Sequence, residues 1–396
     1  MTVRFHACSK ELHPFGRVEA SPFKAGWQDT AQGEPRAPRP LGWGVERFTE
    51  RRMMMVRKIF SFGVVVVGLF FISNMALGAA PFYEGKTIRI IVGYSAGGGY
   101  DTYARVISRH IGKYIPGNPT LIVENMTGAG SLISANHLYK IAKPDGLAIG
   151  HFNGGLFFNQ VLEQPGIEFD ARKFEFMGAA VKEEVAYAFT KASGITSIEK
   201  WMASKTPVKM GGVAPGAFAP DNVIRVVKAA LGLPIQLISG YKGTADIRLA
   251  AEGGELAGTS WGWDSMRATW RKSLESGDVV VVLQGVPKPF ADLPNVPLAI
   301  NLAKTDEARQ LIEVGIHSPS VFARPFVLPP GTPKDRMQIL REALQKTLED
   351  KEFLAETEKA KLDLGPVSGE DLEKAVGAIF KIEPAMAAKL KDILFK

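Results

Sequence analysis

The 396-residue sequence predicts an α/β fold in two lobes, and three observations carry that prediction. From residue 87 onwards, short β-branched runs alternate with amphipathic helical stretches, the pattern of βα units with largely parallel sheets. Two breaks, Gly178–Glu184 and the proline-rich Val286–Pro297, bound a middle segment, so the chain leaves one α/β lobe, builds a second and returns. With 46% of residues hydrophobic, the chain has the apolar surface for two cores. The expected lobes are residues 79–180 plus 297–396, and an inserted lobe of residues 181–296, with a cleft between them where ligands commonly bind.

The elements follow in order. Thr87–Val92 is a strand, and Gly93–Tyr100 is the loop after it. A helix comes next, with Asp101 as its expected N-cap and Ala104, Ile107, Ile111 and Tyr114 on one face at spacings of 3, 4 and 3. Thr120–Glu124 is a strand, followed by a glycine loop at Gly128 and Gly130 and a helix towards Ala142; Leu147–His151 is a third strand. Further strands are expected at Val185–Thr190, Val208–Gly212, Ile235–Ile238, Val279–Gln284 and Val321–Leu328. Helices are expected at Asp221–Leu231, Thr244–Glu252 and Pro333–Lys346.

The beginning of the chain reads as an address. Arg57 and Lys58 precede an apolar run from Ile59 to Ile72, and Ala76-Leu77-Gly78 places small residues where a signal peptidase reads. That is the three-part pattern of a secretory signal peptide over residues 53–78, with export to the periplasm and cleavage near Ala79. A membrane anchor would need roughly 18 or more apolar residues, and Ser73-Asn74 interrupts this run. Residues 1–52 are rich in Pro, Gly and Arg without periodicity and read as a gene-start artefact or disordered leader.

Charge and cysteine content exclude several functions. The formal charge is +7, but residues 1–78 hold 11 Lys+Arg and 6 Asp+Glu, leaving 37 and 35 in the rest. The body is nearly neutral and has no basic run, which argues against nucleic acid as a partner. The one cysteine, Cys8, lies in the leader, so the body has no disulfide or thiolate chemistry. His110, His137, His151 and His317 are too scattered in sequence for a metal-binding pair, and neither a metal nor a cofactor is expected.

The strongest local feature is the loop Gly93-Tyr94-Ser95-Ala96-Gly97-Gly98-Gly99-Tyr100-Asp101. Consecutive glycines allow close backbone approach and φ values that other residues resist. The helix behind the loop aims unpaired N–H groups and a positive dipole end into the same space, which suits an anion. Gly93-x-Ser95-x-Gly97 also matches a hydrolase nucleophile elbow, so a secreted serine hydrolase using Ser95 is the competing function. However, the elbow stands about 15 residues into the mature chain, which leaves no room for the strands such a fold needs first. Dinucleotide and P-loop patterns are broken or absent in the body. Asn153 is a candidate for donating its amide to a ligand, Tyr241 for lining the cleft, and Trp261 and Trp263 for stacking on a ligand ring. Asp264 would bind a ligand ammonium or cap the helix that follows.

Five ordered blocks carry a resemblance. Lys86 to Arg105, Val123 to Gly130, Lys143 to Gly146, Gly240 to Ile247 and Pro329 to Pro333 resemble successive blocks of the tripartite tricarboxylate transporter substrate-binding receptors, also called Bug proteins. The likeness spans residues 82–380. It implies a type II periplasmic-binding-protein fold whose two lobes close on a small organic acid, a di- or tricarboxylate or an aromatic acid. The implied partners are the membrane permease subunits of a tripartite transporter, with the receptor itself a monomer and not an enzyme. A receptor presenting its ligand to a signalling partner is the other possibility. In such receptors backbone amides and ordered water of the first loop hold the ligand carboxylate. Carried over, that loop is Tyr94, Ser95, Ala96, Gly97, Gly98 and Gly99, with Asp101 at the helix start. The clamp from the other lobe is Gly212 to Ala217, including Ala214 and Gly216. This chain departs from the pattern in having Ala214, Ala217 and Phe218 where relatives carry Ser or Thr, and Ser95-Ala96 where they carry prolines.

Overall fold

The computed structural model describes residues 80–396, so the expectations for residues 1–52 and the signal peptide lie outside it. Among the described residues, eleven strands form two sheets. The strands are β1 (Thr87–Val92), β2 (Thr120–Asn125), β3 (Ala148–His151), β4 (Glu175–Ala179), β5 (Val185–Thr190), β6 (Val208–Gly211), β7 (Ile235–Ile238), β8 (Gly258–Gly262), β9 (Val279–Gly285), β10 (Phe326–Leu328) and β11 (Val367–Ser368). One sheet has the order β11-β4-β10-β3-β1-β2 and the other β7-β6-β8-β5-β9.

The first sheet grows from β1. Ile88, Ile90 and Val92 pack with Tyr103, Ala104 and Ile107 of the helix Gly99–His110. Ile91 faces the opposite layer with Leu138 of the helix Leu132–Lys140. One β-branched run thus fills both faces, as a strand covered on two sides must. Burying Ile90 and Ile107 contributes about 2 kcal/mol each.

Pairing is more mixed than the alternation of elements suggests. β1 runs parallel to β2 and β3, and β6 parallel to β7 and β8. β5 and β10, the strands entered directly after a crossing between sheets, run antiparallel to their neighbours. A parallel neighbour needs a helical crossover on the same sheet, and a strand arriving from the other sheet has none.

Both crossings pass through one spot. Glu183 lies between β4 and β5, Arg324 lies just before β10, and the Glu183 amide donates to the Ser320 carbonyl at 2.9 Å. The strands of residues 297–396 return to the first sheet, but its helices do not all follow. Asp306–Ile312 and Pro384–Phe395 pack against Val223–Leu231, beside the second sheet.

The expected strand Val321–Leu328 shortens to Phe326–Leu328. The Phe322 amide closes a turn on Pro319, and the Ala323 carbonyl accepts from the Gly154 amide and the Tyr100 hydroxyl. Among the described residues, no helix is long and apolar enough to cross a membrane.

Candidate functional site

The glycine loop enters the site through its backbone. Gly97 has φ +80°, the left-handed region where a side chain is strained. Gly98 is extended, with φ −86°, so its importance is space rather than torsion. A Cβ on Gly98 would stand 2.8 Å from the Thr244 hydroxyl, and one on Gly99 would overlap the Ser265 side chain. The helix begins at Gly99 with Gly98 as N-cap, three residues earlier than expected.

Asp101 is therefore inside the first turn and has a different task. Its carboxylate accepts from the Gly97 amide at 2.9 Å, Arg105 Nε at 2.9 Å and Asn125 Nδ2 at 3.0 Å. Burial opposes its ionised form, but bonds from Arg105, the Gly97 amide and Asn125 outweigh that, and its pKa lies below the ordinary value. Asp101 holds the loop in shape and leaves no acceptor for a ligand.

The second lobe presents another helix end, at Thr244–Glu252. The space a Gly98 Cβ would fill is 3.8 Å from the Thr244 amide nitrogen, so the two N-termini oppose each other across the cleft. The lobes are drawn together here. Ser95 N–H donates to the Lys242 carbonyl at 3.2 Å, and Ser95 Oγ donates to Asp246 at 2.7 Å. The cleft between them is nearly shut, with about 10 Å³ open to the centre of a water molecule, room for about one. Tyr94, Gly98, Gly99, Tyr100, Val213, Thr244 and Trp261 are on its wall.

Several expected ligand contacts are placed elsewhere. Ala96 and Gly97 are exposed and do not line the cleft. Asn153 is fully buried as a tie between lobes: its Nδ2 donates to the Gly216 carbonyl at 3.2 Å, and its Oδ1 accepts from the amides of Gly155 and Phe218. Gly216 also accepts from Asn159 Nδ2 at 2.5 Å, and Ala217 lies against Gly130. The amides of Val213 and Ala214 donate to Asp221 at 2.6 and 3.2 Å. The clamp loop is thus braced by side chains, and its flanks, Val213 and Ala219, face the cleft. Tyr241 points to the surface, where its hydroxyl donates to Glu255 at 2.6 Å. Trp261 stacks on Trp270 at 5.3 Å, while the Trp263 indole donates to Asp292 at 3.0 Å outside the cleft.

Asp264 is neither a helix cap nor an open ammonium site. It is 5% exposed and accepts from Arg324 Nη1 at 2.9 Å. Arg324 Nη2 donates to Glu183 at 2.8 Å, its Nε bonds the same carboxylate, and both residues are 2% exposed. Glu183 also accepts from the Gly262 amide at 2.8 Å, and the guanidinium lies 5.3 Å from the Tyr100 ring centre. Burial works against the Arg324 charge, but Asp264 and Glu183 raise its pKa further, so it stays ionised. Arg324 and Glu183 are on the cleft wall. Sequence reading passed over both, although a lone arginine in Val321-Phe322-Ala323-Arg324-Pro325-Phe326 is a detectable oddity.

The hydrolase alternative needs a base on Ser95. Among the described residues that hydroxyl bonds Asp246, and no histidine bonds it. His151 is buried, with Nδ1 3.0 Å from the Pro325 carbonyl and its ring stacked on Phe326 at 4.0 Å. One trio, His110, Asp350 and Glu352, is close enough to share a cation, but Lys113 Nζ is already 2.9 and 2.8 Å from the two carboxylates.

This architecture, two α/β lobes joined by crossings with helix ends meeting over a cleft, is the fold seen in solved periplasmic binding proteins. The chain has that fold: it matches the structure of the periplasmic binding protein BugD with a TM-score of 0.65 and 22% identity, over 78% of this chain and 98% of that one. MatC from Rhodopseudomonas palustris, solved with bound malate, matches with a TM-score of 0.61 and 17% identity, over 78% and 99%. No family model matches the chain. In sequence it is similar to the UPF0065 protein in the gbd 5' region of Cupriavidus necator, with 23% identity over 347 residues, 86% of this chain and 98% of that protein.

Proposed function

We propose that this chain is an exported periplasmic receptor that captures a small organic carboxylate between its lobes and delivers it to the permease subunits of a tripartite tricarboxylate-type transporter. The observation that carries the reading is the meeting of two helix N-termini, at Gly99 and Thr244, across one closing cleft. First-turn amides have no earlier carbonyl to bond, and two dipole ends favour an anion without any lysine. Each charge-assisted N–H bond contributes about 1.5–3 kcal/mol, so a few are enough to hold one carboxylate. The lobes in this reading are residues 79–180 plus 297–396 and residues 181–296, with the helices Asp306–Ile312 and Pro384–Phe395 reaching across to the second, and they open to admit the ligand and close as Ser95 meets Asp246. The structural neighbours, a periplasmic binding protein and a protein solved with bound malate, support a binding role rather than catalysis, and in this reading the receptor is a monomer.

The test is a thermal-shift screen of organic acids against residues 79–396, followed by calorimetry of the hits. At least one carboxylate should bind and be recovered chemically unchanged. Gly99→Val should abolish binding, because its side chain would collide with Ser265. Turnover of an ester that vanishes in Ser95→Ala would reverse the reading in favour of a hydrolase.

A further inference from the structure

Resting on the receptor reading above, we propose that the ligand is a monocarboxylate with an apolar or aromatic body, and that the Glu183–Arg324–Asp264 cluster discriminates against dicarboxylates. Most of the cleft wall is apolar or aromatic: Val213, Ala219, Trp261, Tyr94 and Tyr100. The clamp loop adds no hydroxyl, since Ala214 and Ala217 stand in it and Phe218 follows it. Stacking on Trp270 holds Trp261 as a rigid flat wall.

The one guanidinium on that wall is already matched. Arg324 lies between two carboxylates, so the three buried side chains carry a formal charge of −1. A second ligand carboxylate would find the neutral donors already taken by the first, and the one guanidinium on the wall already paired. Leaving that carboxylate unpaired in a site removed from water should cost roughly tenfold to a hundredfold in affinity.

A single carboxylate is provided for. Besides the two helix ends, Trp261 Nε1 and Ser265 Oγ are buried with no hydrogen-bond partner among the described residues, and both residues line the cleft. Each is 1% exposed. Ser265 stands against Gly99, at the mouth of the helix. These are neutral donors, suited to one anionic head, and a buried donor left unpaired costs about 1–3 kcal/mol.

Calorimetry on residues 79–396 with benzoate, phenylacetate and butyrate against malate, adipate and citrate decides the matter. The tightest monocarboxylate should bind at least about tenfold more tightly than the tightest di- or tricarboxylate. Glu183→Gln, checked by circular dichroism, should narrow that ratio by about tenfold through a gain in malate affinity; Asp264→Asn is the second variant should the first not fold. Malate, adipate or citrate binding more tightly than every monocarboxylate would overturn the inference and leave the receptor reading standing. A ratio unchanged in both variants would overturn the cluster as the discriminator. Should no carboxylate bind at all, the receptor reading itself falls.

Discussion

At the scale of single residues, the site is built from side chains that hold backbone in place. Asp101 shapes the glycine loop, Asp221 fixes the clamp, and Asn153 ties the clamp to the first lobe. Burial pushes the Asp221 carboxyl up to about 6, against the bonds from Ser239 and the amides of Val213 and Ala214. Arg324 is the residue whose loss should cost most. Removing one partner of a buried ionic cluster leaves uncompensated charge, so Arg324→Met should lower unfolding stability by about 3–5 kcal/mol, measured by urea denaturation. An exposed pair such as Lys140 with Glu168 should contribute under about 1 kcal/mol in the same experiment.

At the scale of elements, β3 carries a titration that the fold suppresses. His151 is held down to about 3, chiefly by burial, with Arg324 adding to the effect and the bond to Pro325 opposing it. A folded pKa below the unfolded value of about 6.5 means that the unfolded chain binds the extra proton between these limits. Stability from this residue is therefore complete above about pH 6.5 and falls as pH drops towards about 3. Asp221 acts in the opposite direction between about pH 4 and 6, because its raised pKa makes the folded state the better proton binder there. Comparison with a His151→Phe variant isolates the histidine. Relative to that variant, the wild type should lose about 1.4 kcal/mol per pH unit below about pH 6.5, read from denaturation midpoints. A parallel dependence in both proteins would show that His151 titrates freely.

At the scale of the whole molecule, the closed cleft has no room for an organic acid, so binding requires the lobes to part. Small-angle scattering with and without saturating ligand should show a larger radius of gyration in the free form. An unchanged radius would mean that the closed state dominates already, and the ligand then draws on a minor open population. Export is testable independently: protein recovered from the periplasm should begin at or near Ala79, and an intact mass that includes residues 1–52 would refute the leader reading.

The alternation of β-branched runs with amphipathic helices determined the fold class, because periods of 2 and 3.6 are written locally and survive in any tertiary setting. β1 and the buried face of Gly99–His110 were legible on that ground, with Ala104 and Ile107 at 1% exposure or less. The glycine loop was legible too, since glycines between a strand and a helix have few other uses. Strands β4, β8 and β11 were not. β8 is the five-residue Gly-Thr-Ser-Trp-Gly, and Gly258 is needed because the Ala188 carbonyl of the neighbouring strand occupies the space of a side chain. The cluster of Glu183, Asp264 and Arg324 joins residues up to 141 positions apart. Arg324 stands out in its apolar stretch and Asp264 at its helix start, but nothing local in the sequence pairs either with Glu183 or takes the three out of water. Only the tertiary structure decided that, because the energy of a buried charge depends on which partners arrive beside it.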